Sequence, residues 1–225
     1  MKKKHLLFIA LLVISLNSFS QNHELSIGLN TGYSFFTGNS SGHTTFLNAA
    51  GTSDVYTNSP MGKKFTPSFG ISANYRFVFL RYFMVGAEIG YEDLRTKISL
   101  VGDNTGRTIL NNHFLNGHPF IGLRLPLKNI SFDLTVGLDF AKSLKCKEYG
   151  KYKDGSGHEI KFTNTRDGYI DSDVRPRIDL SVNYKKFVFF TGASFGSKNY
   201  YEDWIGGDFE AYLNTIRIGA RYRIF

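Results

Sequence analysis

The sequence predicts an all-β fold, an eight-stranded antiparallel up-and-down transmembrane β-barrel preceded by a cleavable signal peptide. Three observations predict it. The first is the run Ile130 to Phe140, where Ile130, Phe132, Leu134, Val136, Leu138 and Phe140 alternate with Ser131, Asp133, Thr135, Gly137 and Asp139. A two-residue period marks a strand with one apolar and one polar face. It recurs about eight times, each near the roughly ten residues a tilted strand needs to cross a bilayer. The second is that the connections alternate long and short, beginning and ending long. The third is the leader.

The leader has Lys2, Lys3 and Lys4 before an apolar run from Leu6 to Leu16. Ser18-Phe19-Ser20 supplies small residues where a signal peptidase reads them. Cleavage is expected between Ser20 and Gln21, leaving residues 1–20 as signal and 21–225 as the barrel. No cysteine follows the cleavage region, which argues against a lipoprotein. A retained signal anchor is the alternative, and it also takes the chain out of the cytoplasm.

The first strand runs from Leu25 to Phe36, and a Gly/Ser/Asn-rich segment follows to Lys64. The second sets Phe65, Phe69, Ile71, Tyr75 and Phe77 against Ser68, Gly70, Ser72, Asn74 and Arg76. A turn at Phe79 to Arg81 leads to the third, with Phe83, Val85, Ala87, Ile89 and Tyr91 on one face and Gly86, Glu88, Gly90 and Glu92 on the other. Thr96 to Asn112 is expected to be a connection, with turn signals at Gly102-Asp103-Asn104. The fourth strand covers Leu115 to Leu125, and Leu127-Lys128-Asn129 turns into the fifth, Ile130 to Phe140. Leu144 to Asp173 is expected to be a long loop. The sixth strand runs from Val174 to Tyr184, Lys185-Lys186 is a tight turn, and the seventh starts at Phe187. Asn199 to Glu210 is a loop before the eighth, Tyr212 to Ile224.

Long extracellular loops alternating with short periplasmic turns put both termini in the periplasm of a Gram-negative cell, in its outer membrane. Pro67, Pro119 and Pro176 fall inside strands and are expected at strand ends or bulges, because each forfeits a ladder bond. A secreted soluble barrel would carry the apolar face inside. An eight-stranded interior has no room for so many Phe, Tyr, Leu and Ile side chains, whereas the Gly, Ser, Asn and Thr face fits it.

The leader ending at Ser20-Gln21, the eight amphipathic strands and the terminal Ile218-Gly219-Ala220-Arg221-Tyr222-Arg223-Ile224-Phe225 together resemble the small outer-membrane β-barrel (PorT-like) family of Bacteroidota. OmpA-type barrels share the design. The resemblance implies that Tyr222, Ile224 and Phe225 form the signal read by the barrel-assembly machinery. Phe225 departs from the pattern, one residue out of phase with Tyr222 and Ile224. The family implies a location more than an activity.

The wet faces carry Arg76, Glu88, Glu92, Arg124, Asp133, Asp139, Arg175, Arg177, Asp179, Arg217 and Arg221, with His118 and Arg223. An arginine facing mid-membrane lipid costs about 2–4 kcal/mol, so these are expected in the lumen. Pairs such as Arg124 or Arg177 with Asp133 or Glu88 are expected to occlude it.

The +8 formal charge falls to about +5 without the leader, with basic residues scattered, so no nucleic-acid partner is expected. Aromatics at 16 % suit interfacial girdles. Cys146 is alone and cannot form an intramolecular disulfide. His43, His113 and His158 have neither metal-ligand spacing nor a nucleophile partner, so no metal, cofactor or enzymatic activity is expected. In Leu144 to Asp173 the charges balance. Tyr200-Tyr201 with Trp204-Ile205 is either an apolar contact point or a membrane-rim cluster.

The functional expectation is a structural or interaction component of the outer membrane, with an occluded polar lumen and extracellular loops as the contact surface. Its partners would be outer-membrane lipid and lipopolysaccharide, the assembly machinery and a protein at the loops. The alternative is a narrow channel or transport/secretion accessory barrel.

Overall fold

The computed structural model describes residues 23–48, 55–101, 105–153, 156–202 and 207–225. The leader with its Ser20/Gln21 junction, the Gly102-Asp103-Asn104 turn and Trp204-Ile205 lie outside the described residues. The chain is all-β: β1 (His23–Thr37), a 3-10 turn (Asn39–Ser41), β2 (His43–Thr44), β3 (Phe46–Asn48), β4 (Val55–Thr57), β5 (Thr66–Phe79), β6 (Phe83–Leu100), β7 (Thr105–Pro126), β8 (Ile130–Lys153), β9 (Glu159–Thr165), β10 (Ser172–Tyr184), β11 (Phe187–Ser194) and β12 (Tyr212–Arg223).

Eight of these strands pair antiparallel in a closed ring, in the order β1, β5, β6, β7, β8, β10, β11, β12 and back to β1. Closure satisfies the backbone groups that an edge strand would leave bare. The turns at residues 80–82, 127–129 and 185–186 lie at one end, together with His23 and the Ser26–Arg223 pair. In the first and last of these turns Leu80, Arg81 and Lys185 adopt positive φ (51°, 64° and 53°), which keeps them tight without glycine.

Period two sends the apolar set outward. Leu29, Ile89, Ile121, Leu123 and Ile218 are all more than half exposed, at 52–66 %. The opposite set, including Asn74, Glu88, His118 and Asp139, is buried inside the ring. The outer apolar band runs from Phe83 to Tyr91 on β6, Leu115 to Leu125 on β7 and Phe132 to Phe140 on β8.

Two expected connections are strand instead. Thr96 to Asn112 continues β6 and β7, and Leu144 to Asp173 contains the end of β8 and all of β9. Within these strands the alternation continues apart from one bulge, but its polarity reverses. On β6, Leu94, Thr96, Ile98 and Leu100 are buried while Asp93, Arg95, Lys97 and Ser99 face out. A pattern that requires apolar residues outside reads such a segment as a loop. The result is a blade in the order β2, β6, β7, β8, β9, with β2 parallel to β6, rising past the ring. The β7–β8 register shifts by one between His113 and Phe114, opposite Lys145 and Ser143, so Leu144 is an extra residue. This bulge moves the inward set of β8 from Asp139 and Ala141 to Cys146 and Glu148.

Pro67 is the second residue of β5, whereas Pro176 is the fifth of the thirteen residues of β10, in regular register with Leu138. Pro119, against expectation, is deep inside β7. The β7–β8 ladder passes from Gly117–Phe140 directly to Phe120–Gly137. The Leu138 carbonyl, left without a proline N–H, instead accepts from His118 Nδ1 at 3.2 Å.

An apolar plug closes the end of the ring away from the short turns. Phe36, Leu94, Leu110, Phe114, Cys146 and Leu213 come from the strands, and the connections add Met61, Ile170, Tyr200 and Tyr201. Tyr200 and Tyr201 are therefore inward core residues, not an exposed contact point or rim. The first connection lies directly on β6. A Cβ on Gly62 would stand 2.1 Å from the Lys97 carbonyl oxygen, a distance only glycine tolerates.

Candidate functional site

The ring's interior is built from alternate residues of all eight strands, which stack ionisable groups in three levels. Nearest the short turns, Arg124 forks between two carboxylates. It donates to Glu24 at 2.7 and 3.0 Å and to Asp133 at 2.8 and 2.9 Å. Arg76 Nη1 meets Asp133 at 2.7 Å, Asn183 Nδ2 donates to the same carboxylate at 2.7 Å, and Arg223 reaches Glu24 at 3.3 Å. The middle level centres on Glu88, which takes Arg221 at 2.6 Å and Arg177 at 3.1 Å. Arg177 also bonds Asp179, and the Arg221 guanidinium lies 3.7 Å from the Phe190 ring centroid. In the third level Arg217 joins Glu92 to Asp139, at 2.8 and 3.1 Å from its Nη2. Arg175, fully buried, lies 2.7 Å from Asp139 and covers the Phe114 ring, where the charged interior meets the plug.

Of the thirteen ionisable residues placed on the wet faces from the sequence, twelve lie in these levels, and His118 is buried beside the middle one, 3.7 Å from Asp179. Glu24 and the asparagines that tie the carboxylates together, Asn74, Asn116 and Asn183, went unnoticed as members. Glu24 shares the parity of Ser26 and Gly28, and β1 begins at His23, two residues before the expected start at Leu25. Tyr222 and Ile224 are half-exposed on the outer face, while the Phe225 carbonyl accepts from the Leu25 N–H at 3.1 Å.

The arrangement can fill space but offers little passage. Six carboxylates and seven arginines nearly cancel, and neither sign lines a continuous path. A gap beside Asn30, Glu88, Asn116 and Arg177 has a volume of about 10 Å³, at the limit for one water. Such pairs add little net stability over apolar packing, but losing one partner strands a buried charge.

A second polar centre sits in the blade. Glu148, fully buried, accepts from Arg166 Nε at 2.7 Å and Thr108 Oγ1 at 2.8 Å, and also from Thr57. Next to it burial, reinforced by Asp167, pushes the Cys146 thiol up to about 12. Burial likewise raises the Tyr201 phenol. His113, on the blade's outer face, shares a hydrogen bond with the Tyr91 hydroxyl at 2.6 Å, and no cluster of metal-ligating side chains occurs among the described residues.

No protein-family model matches the chain, and no curated protein does either. Among solved structures, it overlaps the attachment invasion locus protein Ail of Yersinia pestis, in complex with the heparin analogue sucrose octasulfate. That match has 13% identity, covers 91% of this chain and 100% of that one, and has a TM-score of 0.42. The translocator domain of the autotransporter NalP from Neisseria meningitidis matches at 13% identity over 99% and 96%, with a TM-score of 0.36. The TodX monoaromatic hydrocarbon channel matches at 9% over 91% and 68%, at 0.31. Overlaps this loose leave the reading of the chain to its own strands and side chains.

Proposed function

We propose that this chain is a small outer-membrane β-barrel that acts as a structural or interaction component, without a catalytic centre. Its lumen is occluded and its surface-exposed blade and connections are the contact surface. One observation carries this reading: a closed ring of strands with charge inside and a continuous belt of Phe, Leu, Ile and Tyr outside. In water a belt of that size far exceeds the few hundred Å² that soluble proteins tolerate. In lipid it is the favourable arrangement, and the band spans Phe83–Tyr91, Leu115–Leu125 and Phe132–Phe140 match the ~9–11 residues needed.

Export through Met1–Ser20 and insertion guided by Tyr222, Ile224 and Phe225 belong to the same reading. Membership in the PorT-like group of Bacteroidota rests on the leader, the eight amphipathic strands and the terminal segment, of which the last is the most specific. Refolded mature protein is expected to show a heat-modifiable gel shift and no steady conductance in planar bilayers. Absence of the shift overturns the membrane reading, and a stable open state makes transport the working function.

A further inference from the structure

Between Leu144 and Asp173 the sequence balances its charges, but the fold segregates them. Glu148 turns inward to Arg166, and Asp167 accepts the Cys146 N–H at 3.0 Å. The lysines take the other side. Lys145, Lys147, Lys151 and Lys153 alternate out of β8, with Lys161 of β9 directly across from Lys151. On the neighbouring strand Arg107 pairs in register with Lys151, and beyond it Lys97 of β6 bridges to Lys64.

Among the described residues the acids on this face are Asp93, paired with Arg95, Glu159, paired with Lys151 at 2.7 Å, and at its base Asp171, paired with Lys142. Lys97, Arg107, Lys145, Lys147, Lys153 and Lys161 have no carboxylate within ion-pair distance among those residues. The face also has relief. A groove of about 400 Å³ lies between Lys64, Lys97, Arg107, Lys151 and Lys153, and one of about 280 Å³ lies beside Arg107, Tyr149 and Lys161.

We propose that this face docks the phosphorylated headgroups and inner sugars of the glycolipid leaflet surrounding the ring. The proposal rests on the outer-membrane reading above. Continuity selects this occupant. The same faces of β6, β7 and β8 that carry Tyr91, Leu115 and Phe140 continue upward into Asp93, His113 and, across the bulge at Leu144, Lys145. Whatever packs its acyl chains against the first set brings its headgroup to the second. At about 3.3 Å per residue, Lys145 to Lys153 rises about 25 Å, past a phosphate layer and into the attached sugars. A fixed row of cations complements that anionic layer, as polybasic segments do elsewhere at membranes. The blade's other face is occupied by Met61 and the first connection, so the basic face is the one left for a ligand.

The test uses mature protein in nanodiscs of phosphatidylcholine doped with bisphosphorylated rough lipopolysaccharide. Glycolipid retained per barrel is measured by mass spectrometry after exchange into detergent. The wild type is expected to retain several-fold more than a variant carrying Arg107→Gln, Lys147→Gln, Lys151→Gln and Lys153→Gln, with the excess lost at high salt or with dephosphorylated glycolipid. Equal retention by the two proteins, both showing the heat-modifiable shift, overturns the proposal and leaves the membrane reading intact. So does binding of a soluble sulfated oligosaccharide in pure phosphatidylcholine discs without glycolipid enrichment, which assigns the face to an outside polyanion. Failure to enter the discs at all overturns both.

Discussion

On β6, Phe83 to Tyr91 and Asp93 to Leu100 belong to one uninterrupted strand yet obey opposite rules. In the lower half Val85 and Ile89 face out while Glu88 and Glu92 are buried; in the upper half Arg95 and Lys97 face out while Leu94 and Ile98 are buried. β7 inverts at the same rung, between Leu115 and His113, and β8 one outward position lower, between Phe140 and Lys142. Parity along a strand fixes which residues share a face, and the medium on each side decides what that face must be. On the proposed membrane reading, the level where the polarity inverts is where the surroundings change from hydrocarbon to water.

The most disruptive test of the contrast is inside the ring. Arg217→Ala leaves Glu92 with Arg175 at 3.8 Å and Asn116 as remaining partners, and is expected to cost about 3–5 kcal/mol of unfolding free energy in micelles. Arg217→Met with Glu92→Leu should recover most of it, and a double variant no better than the single one breaks the account. Next is the outer surface. Leu134→Arg in the band should cost about 2–4 kcal/mol, whereas Thr163→Arg on the blade's outer face should stay within about 0.5 kcal/mol. Similar costs would mean that the two halves face the same medium.

The smallest effect is chemical. Only the thiolate of Cys146 reacts with thiol reagents, and its upward shift to about 12 keeps it protonated at pH 8. Labelling of the folded protein should be far slower than after denaturation. Rapid labelling would show that the plug at the blade's base is open.

Where apolar residues face outward, the strands were readable, and β10, β11 and β12 start within two residues of their expected positions. The blade was not, because Leu94–Ile98 and Cys146–Glu148 keep the period but exchange the faces. The bulge at Leu144 further disguised the alternation in β8. The interior residues could be named from parity alone, whereas their partners could not. The distance from Arg217 to Glu92 depends on closure across the ring, and nothing local in the sequence encodes it. The segregation of lysines from Glu148 and Asp167 was hidden for the same reason: composition counts charges without regard to side.

Pro119 and His118 form one unit across the β7–β8 ladder. The proline deletes a backbone donor in mid-strand, and the imidazole beside it lends a ring N–H to the orphaned Leu138 carbonyl. A carbonyl can only accept, so the tautomer with hydrogen on Nδ1 is imposed by the main chain. Two neighbouring residues thus divide a task that a single peptide group performs elsewhere in the sheet. In lineages descended from this sequence, the histidine and the proline should be inherited or discarded together.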